Sequence, residues 1–123
     1  MSAFSFRQRL QSFRHAFRGA ATLIRTQHNA WLHALARVLI IVAGFTVRLS
    51  SIEWALVSVA IALVWMAEAL NTAIEFLADE ITEERRERIK QAKDVAAFGV
   101  LVSALATVAI GLFVFLPHFL PAK

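Results

Sequence analysis

Residues 54–79 read WALVSVAIALVWMAEALNTAIEFLAD. Fourteen uncharged residues, 54–67, lead into Glu68, Asn71, Glu75 and Asp79, which follow one another at intervals of three, four and four. At about 1.5 Å per residue, positions 54–78 make roughly 37 Å of helix, enough to cross a hydrocarbon core of about 30 Å and emerge. At about 100° per residue the four polar side chains share a stripe roughly 80° wide, which climbs about 16 Å from inside the apolar segment to its charged end. A carboxylate at membrane depth costs at least about 2.5 kcal/mol on insertion scales and marks a functional candidate. The stretch therefore reads as a membrane helix with a carboxylate stripe on one face.

The rest of the chain agrees with that solvent. Of the 123 residues 59% are hydrophobic and the mean hydropathy is +0.62, whereas soluble domains run at about half apolar. Downstream, residues 95–116 carry no charge, the length of one membrane span, and Pro117 is expected to close it. Within that span Gly99, Ser103, Thr107 and Gly111 recur every four residues, a small-residue seam for close helix packing. Between the two spans, residues 79–94 hold six acids and five bases, interspersed as in a solvated helix end or loop.

Upstream, residues 48–53 read as a short turn. The uncharged run 38–47 is only about 15 Å long as a helix, so a further span must cover 30–49 and take in His33 and Arg37. Trp31 suits the interface, and Arg37 can snorkel toward it; for His33 and Arg37 alike, interface anchoring or packing on a neighbouring helix stands beside a role in a site. Farther upstream, Phe6, Leu10, Phe13, Phe17, Ala20 and Ile24 step by four and three, with arginines on the other faces. This predicts an amphipathic helix over 4–25 lying at the headgroup level; a helix packed on its own protein is the plainer alternative.

The expected architecture is an all-α integral membrane domain spanning residues 1–123, an N-terminal amphipathic surface helix plus three transmembrane helices. Seven arginines precede the first acid, Glu53, so the formal charge of +4 suits an anionic membrane surface better than a nucleic acid. The basic N-terminus leads into an amphipathic segment, so no signal peptide is expected. With no cysteine, disulfides and thiolate chemistry are excluded. Eleven of the thirteen Lys and Arg lie before residue 38 or within 79–94. By the positive-inside rule these two sets are cytoplasmic, and the carboxylate stripe opens on that side.

Such a stripe has three physical uses: proton or ion translocation, divalent cation binding, or general base catalysis on a membrane substrate. Lys93 and Asp94 bear on the choice. If the intervening segment folds back they return near the level of Asp79, so that a cation-binding carboxylate and a phosphate-binding ammonium face each other. Magnesium, held by one or two carboxylates plus substrate phosphates, fits such a place. Glu68 and Glu75 lie about 10 Å apart along the helix, too far to share one ion within a chain. They divide the work: Glu75, nearer water, for Mg-nucleotide, and Glu68, deeper, as general base toward a lipid hydroxyl.

The pattern Glu68-Ala-Leu-Asn71-Thr-Ala-Ile-Glu75, with Asp79 four residues on and Lys93-Asp94 after thirteen more, resembles the signature of the prokaryotic diacylglycerol kinase family. These are small trimeric membrane enzymes that phosphorylate lipids with MgATP. The likeness runs from Ser12-Phe13-Arg14-His15 through Ser51-Ile52-Glu53-Trp54 to Phe115-Leu116-Pro117, and those flanks look more like the undecaprenol kinase branch than the diacylglycerol branch. The resemblance implies Glu68 as catalytic base, Asn71 as its polar neighbour, Glu75 as metal ligand, and Asp79, Lys93 and Asp94 around the nucleotide. It also implies a homotrimer with sites shared between subunits, in a bacterial inner membrane. The family enters its first span with a Glu of the metal shell, a place that Gln27 takes here with a weaker neutral oxygen. His28 or Asn29 would adjust that geometry; an ordinary interfacial residue is the other reading of Gln27.

A lipid kinase using Mg2+ and ATP on undecaprenol, or alternatively on diacylglycerol, accounts for the whole constellation. A small proton-coupled transporter accounts for Glu68 and leaves Asn71, Glu75, Lys93 and Asp94 idle. A holin-like pore former accounts for the hydropathy alone.

Overall fold

A computed structural model describes residues 6–27 and 30–120; His28 and Asn29, and the first two positions of the expected surface helix, lie outside them. Four helices follow in order: α1 (Phe6–Thr26), α2 (Ala30–Val47), α3 (Ser51–Ile81) and α4 (Glu87–Phe119). The chain divides into two units, residues 1–36 and residues 37–123.

In the first unit, α1 keeps the period read from the sequence. Leu10, Phe13, Phe17 and Ile24 stand exposed, while Leu23 is buried. Thr22 and Thr26 turn their hydroxyls back onto the carbonyls of Arg18 (3.0 Å) and Thr22 (2.9 Å), which removes these polar groups from competition with the apolar stripe.

The second unit is an antiparallel helical hairpin of α3 and α4, with the remainder of α2 laid against its start. At about 1.5 Å per residue, α3 runs about 46 Å and α4 about 50 Å, each longer than a hydrocarbon core. Both are long and apolar enough to cross a membrane, and α2 supplies a third candidate when α1 and α2 are counted together. Their large apolar side chains point outward on every side, Phe113 being 82% exposed and Leu105 61%. A surface of this kind suits lipid or a neighbouring apolar helix, since the same area in water would drive association.

The turn between α2 and α3 is closely built. Arg48 adopts a left-handed conformation (φ 58°), and the N–H groups of Arg48 and Leu49 donate back to the carbonyls of Phe45 (3.3 Å) and Gly44 (3.1 Å), a Schellman closure with arginine where glycine is usual. Ser50 then caps α3: its hydroxyl accepts from Glu53 N–H (3.3 Å) while Glu53 Oε2 accepts from Ser50 N–H (2.7 Å). The helix thus starts at Ser51, inside the segment expected to be a turn. Trp54, one turn in, packs on Phe45 with ring centroids 4.9 Å apart and lies against Gly44. Leu49, Val57 and Val114 form the small core here, flanked by Ile40, Ile61, Ile110 and Phe115.

The small-residue seam of α4 is close-packed only at its middle. Ser103 is buried, and the Thr107 hydroxyl shares its hydrogen between the carbonyls of Ser103 (2.8 Å) and Ala60 on α3 (3.3 Å). At Gly99 and Gly111 a Cβ would meet nothing within 4 Å, so the seam's ends leave room.

The mixed-charge segment 79–94, expected as a solvated helix end or loop, is both: helical at its two ends, with residues 82–86 linking α3 to α4; Gln91 donates to Glu87 one turn earlier (3.2 Å). One further boundary differs from the sequence expectation. Pro117 does not close α4, which continues to Phe119. Near a helix end a proline forfeits one hydrogen bond while its fixed φ remains helical. The last turn is held besides by His118 Nε2, 2.8 Å from Glu53 Oε1 at the start of α3.

Candidate active site

The stripe sits where α3 and α4 run together toward their charged ends. Asn71 Nδ2 donates to Glu75 Oε1 at 3.0 Å, one turn along the same helix. This bond orients the carboxylate and occupies one of its oxygens, leaving the other for a cation. One turn farther, Asp79 Oδ1 accepts from Lys93 Nζ on α4 at 2.6 Å. The hydrogen bond to Asp79 raises the Lys93 ammonium above its ordinary range; the charge of Asp79, and then of Glu75, adds to it against some desolvation. Lys93 therefore stays a cation between two carboxylates, suited to meet phosphate oxygens. The hairpin thus brings Asn71, Glu75, Asp79 and Lys93 to one end. Asp94 follows on α4 as an exposed residue, and Gln27 closes α1 with its N–H on the Leu23 carbonyl (3.1 Å).

Glu68 lies two turns deeper, half-buried on α3. It acts electrostatically on Arg37 of α2, whose guanidinium carbon lies 4.0 Å from the centre of the Trp65 ring. Of the readings open for Arg37, packing on a neighbouring helix is the one seen, since the indole face offers a cation a partner where water is scarce, and a role in a site stays compatible with it. The signal in the sequence was a lone charge inside an apolar run, but its partner on another helix has no sequence mark.

Beside the stripe, α3 and α4 enclose an apolar groove of about 390 Å³, lined among others by Leu63, Met66, Leu70, Asn71, Gly99 and Ser103. Asn71 and Ser103 are its polar lining residues, and the missing side chain at Gly99 keeps it open. Asn71 Oδ1 and Thr72 Oγ1 are buried without a hydrogen-bond partner among the described residues.

The donor set admits a nucleotide-borne cation. Among the described residues no three His, Asp or Glu converge on one point. Glu75, oriented by Asn71, is a single carboxylate, the number that magnesium accepts when phosphates and water complete its shell.

A sequence model of prokaryotic diacylglycerol kinase matches residues 14–115. The chain belongs to the prokaryotic diacylglycerol kinase family. Two curated relatives resemble it over most of its length. Undecaprenol kinase of Bacillus subtilis is 43% identical over 107 residues, covering 87% of each chain. A diacylglycerol kinase of Synechocystis is 37% identical over 112 residues, covering 90% of this chain and 64% of the relative. As a member of this kinase family the chain is a membrane lipid kinase, and the carboxylate stripe, with Lys93 across from it, is its candidate active site.

Proposed function

We propose that the protein transfers the γ-phosphoryl group of ATP to the hydroxyl of a membrane lipid alcohol, undecaprenol first and diacylglycerol second. The observation that carries this reading is the gathering of Asn71, Glu75, Asp79 and Lys93 at one end of the hairpin, with Glu68 two turns deeper. The order of lipids is supported by the greater identity to the undecaprenol kinase.

In this reading Lys93, held by Asp79, takes the nucleotide phosphates, with Asp94 beside it. Glu75, oriented by Asn71, is the residue that would hold Mg2+; the family resemblance alone adds Gln27 to the candidates, as a weaker neutral oxygen. When bound, the ion neutralises charge on the transferring phosphates. At the lower station Glu68 accepts the proton of the lipid hydroxyl as its oxygen bonds to the γ-phosphorus and the bond to the β,γ-bridging oxygen breaks. The apolar groove that passes Asn71 is a place for the lipid chain to lie.

The same reading places the surface helix at 4–25, the spans at 30–49, 54–78 and 95–116, and the segment 79–94 in the cytoplasm of a bacterial inner membrane, because eleven of the thirteen Lys and Arg then lie on that side. A homotrimer with sites shared between subunits follows from the family resemblance.

Labelled ATP offered with undecaprenol and, separately, diacylglycerol in mixed micelles tests the proposal. Transfer to undecaprenol at the higher kcat/KM is the expected result. Faster transfer to diacylglycerol favours the second lipid, and no transfer to any lipid alcohol by folded protein with magnesium overturns the reading.

A further inference from the structure

The site as described leaves one deep charge unused. Arg37 stands on α2 at the level of Glu68, with its guanidinium stacked 4.0 Å from the Trp65 ring centre. Its Nη1 is enclosed and has no hydrogen-bond partner among the described residues. A charged donor removed from water and left without an acceptor is costly, and in a membrane span such a group marks a place where charge is handled. Stacking on the indole steadies the cation and fixes its plane, so that its N–H fork is set for a planar approach. Arg37 as a whole is half-buried, so the side chain stays within reach of a ligand.

Phosphoryl transfer beside Glu68 changes the electrostatics of the spot. It begins with a neutral hydroxyl and ends with a phosphomonoester carrying a charge of about −1.5 to −2 at neutral pH. Away from bulk water, and beside a carboxyl that must shed the proton it has taken before the next turnover, that charge is unfavourable unless a cation offsets it. A guanidinium is the side chain whose donors match phosphate oxygens two at a time.

We propose that Arg37, held on Trp65 beside Glu68, binds the phosphate of the phosphorylated lipid. The proposal rests on the lipid kinase reading and adds to it the group that receives the product. The lipid oxygen bonds to the γ-phosphorus, the bond to the bridging oxygen breaks, the nucleoside diphosphate leaves, and the hydroxyl proton goes to Glu68. Arg37 exchanges no bond and neutralises the oxyanion that this leaves on the lipid.

The test compares R37M, which keeps the stem without the charge, with R37K, which keeps the charge without the fork. A short-chain polyprenyl monophosphate and its parent alcohol are titrated calorimetrically into protein in maltoside micelles, without nucleotide, and a non-hydrolysable ATP analogue is titrated separately. R37M is expected to weaken the monophosphate by about tenfold or more, R37K by less, with the alcohol and the ATP analogue unchanged. Removing a charge from a membrane span eases insertion, so R37M folds. Trp65→Leu, which takes away the platform and leaves the charge, is expected to give a smaller loss of the same kind.

Unchanged monophosphate affinity in R37M overturns the inference. So does an equal loss for the alcohol, which means packing alone, or a loss confined to the ATP analogue, which puts the guanidinium on the nucleotide. The titrations need no turnover: a wild-type chain that binds the monophosphate through Arg37 yet transfers nothing supports this assignment while refuting the kinase reading.

Discussion

Lys93 Nζ on α4 lies 2.6 Å from Asp79 Oδ1 on α3, across the only five residues, 82–86, that separate the two helices. The pair is exposed, and exposed ion pairs contribute little to stability. Its use is to hold an ammonium within the field of Glu75, where nucleotide phosphates are proposed to arrive. Lys93→Met is therefore expected to raise the KM for ATP by about tenfold or more, the loss of a charge-assisted phosphate contact. The thermal midpoint should stay close to that of the wild type. Steady-state kinetics at varied ATP with a melt in the same detergent check this; a collapse of the fold with unchanged KM in the surviving fraction would make the pair structural.

Glu68→Gln keeps the size of the side chain and removes its ability to take a proton. Loss of a general base costs about 10²- to 10⁴-fold in turnover. The expected outcome is a kcat lower by that factor with the chromatographic size and melting midpoint intact. Activity retained at the wild-type level would place the base elsewhere.

How much of this was legible follows from what each feature depends on. The stripe from Glu68 to Asp79 depends on one helix and its period, so the sequence alone located it, together with the return of Lys93 near Asp79. The start of α4 at Glu87 was hidden because mixed charges read equally as loop or as solvated helix. Arg37 on Trp65, and His118 on Glu53, join residues far apart in the chain. Only the packing of α2 on α3, and the equal reach of α3 and α4, bring those partners together. Gly99 and Gly111 were read as close contacts, yet α3 fills the seam only near Ser103 and Thr107.

Glu53 gives the fold a pH dependence at the end away from the stripe. The Ser50 N–H, then the Ser50 hydroxyl and His118, hold its carboxyl at about 2 against an ordinary 4.5. A carboxylate depressed on folding adds stability that is complete above its unfolded pKa and is lost as pH falls through the folded one. The wild type should therefore lose melting temperature from about pH 5 down to about pH 2 more steeply than Glu53→Gln, which lacks the titrating group. Melts at stepped pH in a non-ionic detergent check the difference; parallel curves for the two proteins contradict it. Ser50→Ala, which removes the other half of the capping box, should cost about 0.5–2 kcal/mol at neutral pH.

Gly44 offers a test in which two physical effects have opposite signs. In a helix interior, alanine is favoured over glycine by about 1 kcal/mol, so propensity alone predicts that Gly44→Ala stabilises α2. A Cβ there would lie 2.7 Å from Cη2 of Trp54 and 3.0 Å from Cδ1 of Leu49. The indole is wedged against Phe45 and cannot retreat without opening the core at Leu49, Val57 and Val114. Overpacking of this kind costs about 1–3 kcal/mol, more than propensity returns. Gly44→Ala is thus expected to lower the melting midpoint and to alter the tryptophan emission, and Gly44→Leu to do so more strongly. A stabilised Gly44→Ala protein with unchanged emission would mean that α2 and α3 do not meet at this turn as described.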